Sequence, residues 1–291
     1  MKYLIAIEQY GSISAAADAL YTAQPSLTQA VKTLEKELGI PLLIRDHRKV
    51  VLSEAGKVFC DKARKILAET EQLQDLMADY GGLKKGSLRI GALWIAGYTG
   101  ILSWINAYRD KEPTVDVTVD MDGSLNLIHK LLDHTLDCAF LIAVPDQMKD
   151  YPSLSFRKVV EDEYVIVTSK QNRLAKRKTL TLKDLEGENV ILPSSDSPLR
   201  IQLENAFNKE KIHINVMANV TQSDSVIQMA ANNMAVGFSS KGICEYFKQE
   251  NIVPHTMKPG IRRTIYFVTF RDMEQYPTIR SFMEYLDTCV K

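Results

Sequence analysis

"SISAAADALYTAQPSLTQAVKTLEKELG", Ser12 to Gly39, reads as two helices around a break. The left half is rich in alanine and closes at Leu20, and the right half opens on Gln24-Pro25-Ser26. Proline in a first helical turn loses no hydrogen bond, because the N–H groups there have no partner within the helix. Pro25 therefore marks a start rather than a kink. Leu27, Val31, Leu34 and Leu38 share one face, and Gly39 is a natural stop. Gln24, Thr28 and Lys32 lie on the opposite face, with Ser26 and Gln29 beside them. Amides and hydroxyls there suit base edges in a DNA major groove, and a lysine suits phosphate. Ala15, Ala16, Ala17 and Ala19 are small enough for the first helix to cross the second closely. The stretch fits a helix-turn-helix over about 13–32, and it fits an ordinary helical hairpin as well.

The chain has 291 residues, enough for two or three domains with a core in each. With 45% hydrophobic and 25% charged residues its composition is that of a globular protein in water. No apolar run approaches the roughly 18 residues of a membrane helix. In "MKYLIAIEQYG" the apolar core runs only from Tyr3 to Ile7 before Glu8, shorter than the ~7–15 residues of a signal peptide. A cytoplasmic protein without a membrane partner is expected. Cys60, Cys138, Cys244 and Cys289 stand far apart and form no CxxC pair, so neither zinc nor a redox dithiol is signalled, and no cofactor is expected. The net charge is zero, but the first 65 residues hold ten basic against seven acidic side chains. That local excess coincides with the candidate recognition helix.

Val50, Val51 and Leu52 form a short predicted strand, the second arm of a wing whose Arg48 and Lys49 would meet phosphates or the minor groove; a solvated basic turn is the plainer alternative. A long helix follows Ser53, without proline or glycine between Gly56 and Gly81. Phe59, Ala63, Ile66, Thr70, Leu73, Met77 and Tyr80 recur along it at steps of four and three, a heptad seam that predicts a paired helix rather than one packed on its own domain. "GGLKKG" then has the composition of a linker. From Leu88 strand-like segments ("SLRIGAL", "TVDVTVDM", "LDCAFLIAV", "EYVIVTS", "ENVILP", "HINVMANV", "MAVGFSS", "RRTIYFVTF") alternate with helical ones, the last being Thr278 to Val290. That alternation predicts mainly parallel sheets in two α/β lobes, with ligands held at strand C-terminal ends.

Residues 11–56, "GSISAAADALYTAQPSLTQAVKTLEKELGIPLLIRDHRKVVLSEAG", resemble the LysR-type transcriptional regulators block by block: G-S-[FI]-[ST]-x-A-A-x-x-L, Q-P-[SA]-[LV]-[ST], L-E-x-x-L-G, L-[FL]-x-R and L-[ST]-x-A-G. The order of everything after them agrees. The resemblance implies an α/β multidomain chain: a winged helix-turn-helix (1–53), a dimerisation helix (54–80), a hinge (81–87) and a two-lobed effector domain (88–291) similar to periplasmic binding proteins. Lobe one would take 88–165 and 268–291 and lobe two 166–267, with crossovers near Val165–Ser169 and Ile265–Thr269. Departures are Gln29 where Arg is common, Ala30 where Gln is common, and Leu43-Ile44 where Phe and a polar residue are usual. Ala23 replaces a hydroxyl residue, which leaves Thr22 as the expected cap, and the first helix is expected to begin at the first residue.

The resemblance implies contacts to double-stranded DNA from Gln24, Pro25, Ser26, Thr28, Gln29, Lys32, Arg48 and Lys49. It implies an interrupted palindromic site, a homodimer or homotetramer, and RNA polymerase as a further partner. A small organic effector would sit between the lobes, among the loops after the strands. Tyr98, Thr99, Ser124, Ser194, Ser195, Thr221 and Phe238 are the candidate contacts, and an anion is favoured because helix N-termini present N–H groups there. Helix capping is the plain alternative for each hydroxyl. Asp122 and Asp224 would oppose an anion if they pointed inward, and Trp94 and Tyr98 would make an aromatic wall. A solute-binding protein explains the lobes but not residues 1–86. An enzyme is disfavoured by the lack of HExxH, GxSxG, GxxxxGK[ST] or clustered metal-ligand spacing, so no catalytic residue is assigned. A peroxide sensor needs a cysteine pair in lobe two, where Cys244 stands alone.

Overall fold

A computed structural model describes residues 1–46, 49–80, 86–143, 145–195 and 197–290. Arg48 and most of the expected hinge lie outside them. α1 (Lys2–Tyr10) ends where Gly11 takes φ 70, a left-handed turn that suits glycine. α2 (Ile13–Ala19) is capped by the Ser12 hydroxyl, which accepts from the Ala15 N–H at 3.1 Å. α3 (Gln24–Leu38) begins with Pro25 in its first turn and stops at Gly39. Its N-cap is Ala23, and no side chain caps it. Thr22 does not fill the role expected of it: with Tyr21 in the left-handed conformation, its N–H closes the end of α2 by bonding the Ala17 carbonyl five residues back.

β1 (Leu43–Asp46) and β2 (Lys49–Leu52) pair antiparallel as a wing, and α4 (Glu54–Tyr80) follows. Leu4, Ile7, Ala16, Ala17, Leu27, Val31, Leu42 and Cys60 form one core beneath these elements. Two polar side chains fix the turn from α3 into the wing. Glu35 Oε1 accepts from the N–H groups of Leu42 (2.7 Å) and Leu43 (2.9 Å). The Ser53 hydroxyl donates to the Pro41 carbonyl (2.8 Å) and accepts from Gly56 N–H (2.9 Å). α4 passes so close that a Cβ on Gly56 would overlap the Leu42 carbonyl.

Lobe one contains β3 (Gly86–Leu93), α5 (Ile101–Lys111), β4 (Val115–Asp122), α6 (Ser124–Leu132), β5 (Cys138–Ile142) and α7 (Pro145–Met148). The chain leaves it along β6 (Leu154–Ser169). Lobe two contains β7 (Thr179–Thr181), β8 (Asn189–Pro193), α8 (Pro198–Glu210), β9 (Asn215–Val220), α9 (Ser223–Ala231), β10 (Gly237–Ser240), α10 (Lys241–Phe247) and β11 (Ile252–Lys258). The chain returns on β12 (Arg262–Phe270) and ends in α11 (Pro277–Cys289).

Strand order is β4-β3-β5-β12-β6 in lobe one. In lobe two β9-β8 joins β10 through the Val190–Val236 bridge, and β10, β6, β11 and β7 complete the order. Each lobe thus places a strand borrowed from the crossing beside its third strand. The sheets are mixed rather than mainly parallel. β3–β4, β3–β5, β8–β9 and β7–β11 pair parallel, whereas every ladder of the crossing strands β6 and β12 is antiparallel. β6 pairs with β12 through Glu163 and with β10 from Tyr164, so the outward crossing falls there. The return crossing precedes Arg262, because Ile265–Thr269 already pair with Cys138–Ile142. The expected break at 267/268 is therefore displaced, and lobe two ends at about 261.

Lobe one packs around Phe140, Phe267, Phe282 and Tyr108, with ring centroids 4.8 to 6.1 Å apart. Lobe two packs Leu180, Leu192, Leu203, Val236 and Met257 about Ile166. Behind it His255 is fully buried. The Arg177 carbonyl, 2.6 Å from Nδ1, can only accept, so Nδ1 carries the hydrogen and Nε2 accepts from the Thr168 hydroxyl at 2.8 Å. Burial holds the imidazole below its ordinary value of 6.5. In the acid window the unfolded chain binds this proton and the folded chain does not. The contribution of His255 to stability is present above pH 6.5 and is lost as pH falls through the folded value. His255→Gln keeps a donor and an acceptor without a titrating charge. Urea denaturation between about pH 7.5 and pH 5.5 should show a shallower acid loss in that variant than in the parent.

Candidate functional site

Two surfaces concentrate the candidate residues. On α3 the buried residues are Leu27 and Val31. Gln24, Pro25, Ser26, Gln29 and Lys32 are exposed on its outer side. Thr28 is half-buried, and its hydroxyl donates to the Gln24 carbonyl at 2.8 Å, which leaves only its lone pairs for a further partner. Tyr21, in the turn before α3, is 99% exposed and holds φ 50, a left-handed conformation unusual for a bulky residue. Sequence reasoning passed over it. The signal was an aromatic residue in the tight turn between two helices. Lys49 stands at the start of β2.

On α4 the predicted seam divides. Ala63 is 2% exposed, and Phe59 packs on the core under the wing, so both are covered within the chain. Ile66, Leu73 and Met77 are each more than half exposed, and Val58 joins them at 60%. Thr70 is exposed, and its hydroxyl donates to the Ile66 carbonyl (2.7 Å), which explains how a hydroxyl sits in an apolar row. The exposed part of the seam therefore begins at Ile66, with Ala63 outside it, and Val58 lies about a quarter-turn round the helix from Ile66.

The two lobes wall a cavity of about 500 Å³. Of the seven candidate contacts, Ser124, Ser194, Thr221 and Phe238 line it. Tyr98, Thr99 and Ser195 do not. Tyr98 instead packs on Tyr246 and Phe247 of α10, with centroids about 5 Å away, and so joins the lobes through an aromatic clasp. The Thr99 hydroxyl turns back to the Ala96 carbonyl (3.3 Å). Trp94 remains on the wall, half exposed. Asp122 accepts from Gly123 N–H (2.8 Å) and the Asn126 amide (2.9 Å), and Asp224 accepts from Ser225 N–H (2.8 Å). Both carboxylates serve the first turns of α6 and α9 and do not line the cavity.

The floor was not foreseen. Arg263 is the cross-strand partner of Asp162 where β12 and β6 pass between the lobes. Its side chain is 4% exposed. It donates to Asp162 Oδ2 (2.9 Å) and to the Ser240 hydroxyl (2.6 Å) and lies 5.7 Å from the Tyr164 ring centre. Asp162 also accepts from Glu163 N–H (2.9 Å) and Gly242 N–H (3.3 Å). Arg263 Nε at this floor makes no hydrogen bond, and the Ser239 hydroxyl lies against the Cys244 thiol, where it opposes the effect of burial on that group. Burial pushes the Tyr164 phenol up against the opposing influence of Arg263, so it stays a neutral donor. Burial also drives the Cys244 thiol up to about 11 and the Cys138 thiol well above its usual range, so neither is a thiolate near neutrality.

Known families match over both regions. Residues 1–57 match "Bacterial regulatory helix-turn-helix protein, lysR family", and residues 81–289 match "LysR substrate binding domain". The chain belongs to the LysR family: it is a DNA-binding transcriptional regulator with an effector-binding domain. The HTH-type transcriptional activator CmpR of Synechocystis is 28% identical over 235 residues, covering 81% of this chain and 76% of CmpR. A full-length OxyR variant from Pseudomonas aeruginosa superposes with TM-score 0.72 at 17% identity, over 98% of this chain and 92% of that one. The CcmR regulatory domain of Synechocystis, in complex with 2-PG, superposes with TM-score 0.63 at 17% identity, over 71% of this chain and 98% of that domain. Both structures share the fold.

Removing one member of a buried ion pair strands the other charge. Arg263→Ala should therefore lower stability by about 3–5 kcal/mol, and Arg263→Ala with Asp162→Asn by less than the two single changes added together. Urea denaturation of the three variants measures the coupling.

Proposed function

We propose that this regulator takes its effector in the interlobe cavity and passes the occupied state to DNA through α4. The observation that carries the reading is that walls from both lobes meet on the two strands that join them, so a bound molecule touches both sides of the crossing. A ligand shifts an equilibrium only by binding its two states unequally, and a site shared between lobes provides that inequality. The relation to CcmR, crystallised with 2-PG, supports a small-molecule effector. Ser194→Ala and Thr221→Val should each weaken effector binding about tenfold, whereas Thr99→Val should leave it unchanged. A thermal-shift screen of metabolites followed by calorimetry on these variants tests this. Equal affinity in all three would remove the effector from the cavity.

DNA is read by the outer face of α3. Gln29 reaches base edges, Thr28 accepts beside it, and Gln24, Pro25 and Ser26 border the groove. The first-turn N–H groups, which no side chain caps, meet phosphate, as do Lys32 and the wing residues Arg48 and Lys49. Tyr21 lies at the same end and donates its phenol to the backbone of the duplex. Lys32→Ala should weaken every site alike and reduce the salt slope by about one, while Gln29→Ala should change base preference. Fluorescence anisotropy on operator variants across salt distinguishes the two.

The exposed row Ile66, Leu73 and Met77 pairs with its copy, giving a homodimer on an interrupted palindrome and a homotetramer through the effector domains. Leu73→Glu places a charge in that row and should shift the full chain toward monomer in sedimentation velocity. The chain works by binding rather than by catalysis, in the cytoplasm, with RNA polymerase as its later partner. No described helix is long and apolar enough to cross a membrane.

A further inference from the structure

We infer that Tyr98 of lobe one, with Tyr246 and Phe247 of lobe two, forms a latch that holds the two lobes at one angle, so that any molecule favouring another angle has to part these rings. The latch belongs to the effector domain alone and stands whatever occupies the cavity.

Both halves are rigidly mounted. On lobe one a short 3-10 helix, Trp94–Gly97, leads from β3 toward α5, and the Tyr98 N–H closes it on the Ile95 carbonyl (2.9 Å). The Thr99 hydroxyl ties the same turn a second time through the Ala96 carbonyl. On lobe two Phe247 packs against the core of Val165, Val167 and Ile227. The Tyr98 ring centre lies 5.1 Å from that of Tyr246 and 5.0 Å from that of Phe247, tilted by 53° to each. Tyr246 and Phe247 meet edge to face at 5.6 Å, so the three rings make one cluster. Each aromatic pair favours the joined arrangement by roughly twofold to tenfold beyond the burial itself.

Position turns this contact into a latch. α10 starts at the crossing: Gly242 N–H donates to Asp162 (3.3 Å), and Ser240, the N-cap, accepts from Arg263 (2.6 Å). Tyr246 stands four residues farther on, about 6 Å along the helix. A contact at the crossing leaves the lobes free to twist about it, whereas a contact that stands away from it resists the twist. The elements that carry the rings also wall the cavity. Trp94 and Ile95 line it from lobe one, and Ser240 and Ile243 from the start of α10, while Tyr98, Tyr246 and Phe247 do not. Moving the turn past α10 therefore reshapes the cavity and shears the rings together. A ligand that needs the moved arrangement binds with an affinity lowered by the fraction of chains that are unlatched.

Hydrogen exchange on the full chain, without any added small molecule, measures that fraction. Where β6 and β12 pass, the Tyr164 N–H donates to the Ile261 carbonyl (2.8 Å), a bond that a twist of the crossing strains. Tyr246 is 58% exposed, so Tyr246→Ala leaves the lobe cores intact. It should speed exchange at Tyr164 about twofold to tenfold while the amides of β5 keep the parent's rates. Tyr98→Ala removes both contacts between the lobes and should speed it further. Adding Tyr246→Ala to Tyr98→Ala should then change nothing more, because lobe one has no ring left for Tyr246 to hold. Tyr246→Phe keeps the ring and should match the parent. The inference is overturned by unchanged exchange at Tyr164 in Tyr246→Ala, whatever Tyr98→Ala does. An equal rise in β5 overturns it too, since that reports lost stability rather than a released angle. So does a Tyr246→Phe chain that behaves like Tyr246→Ala, or a double variant in which the two effects add.

Discussion

β6 and β12 run side by side in opposite directions between the lobes, and Asp162 faces Arg263 where they pass. Neither strand is a linker. Each is hydrogen-bonded along its length, so the lobes are joined through two ladders that cannot be stretched. A change in lobe angle must be a twist of these strands. Asp162, Arg263, Ser240 and Tyr164 sit at the axis of that twist, and three of them, Arg263, Ser240 and Tyr164, are also the cavity floor. Ligand contact and lobe angle are therefore one problem. A molecule seated on this floor presses on groups that also hold the crossing and the start of α10.

In the winged domain the family's sequence blocks have a local cause. They converge on the backbone of Leu42. Glu35 answers the N–H groups of Leu42 and Leu43, Ser53 holds the Pro41 carbonyl, and Gly56 lets α4 pass the Leu42 carbonyl without a Cβ between them. A block of motif residues turned toward the wing thus sets the angle at which α3 is presented. This is why the domain was legible in sequence: helix stops, a proline start and a glycine approach are each local, and each leaves its mark on residue type. The absent cap on α3 could not be read this way. Thr22 has the right chemistry, but it is taken up in the turn that closes the preceding helix.

The effector domain was legible in its alternation and less so in its site. "EYVIVTS" gave the half of β6 that lies inside lobe two, but "LSFRKVVED" hid the other half, because there β6 is an edge strand beside β12 alone and carries charge. β11 was missed through Pro254, which is tolerated since β7 reaches only Thr256–Lys258 and leaves that position on an edge. Hydroxyl-bearing loops drew attention to Thr99 and Ser195, yet the Thr99 hydroxyl bonds its own turn. The floor came from the opposite signal: an arginine and an aspartate inside strand runs, where a charge has to be paired or functional.

The inserted position of β12 reaches beyond the finished molecule to its manufacture. Lobe one needs β12 between β5 and β6, and β12 leaves the ribosome only after all of lobe two. Until then Leu154–Glu163 has no strand to pair with in its own sheet. A bare strand in a nascent chain invites pairing with a neighbouring chain, and charged side chains prevent it. Arg157, Lys158, Glu161, Asp162 and Glu163 occupy this waiting segment. The polarity that disguises the strand in the sequence is of the kind that hinders pairing between unpaired strands of neighbouring chains.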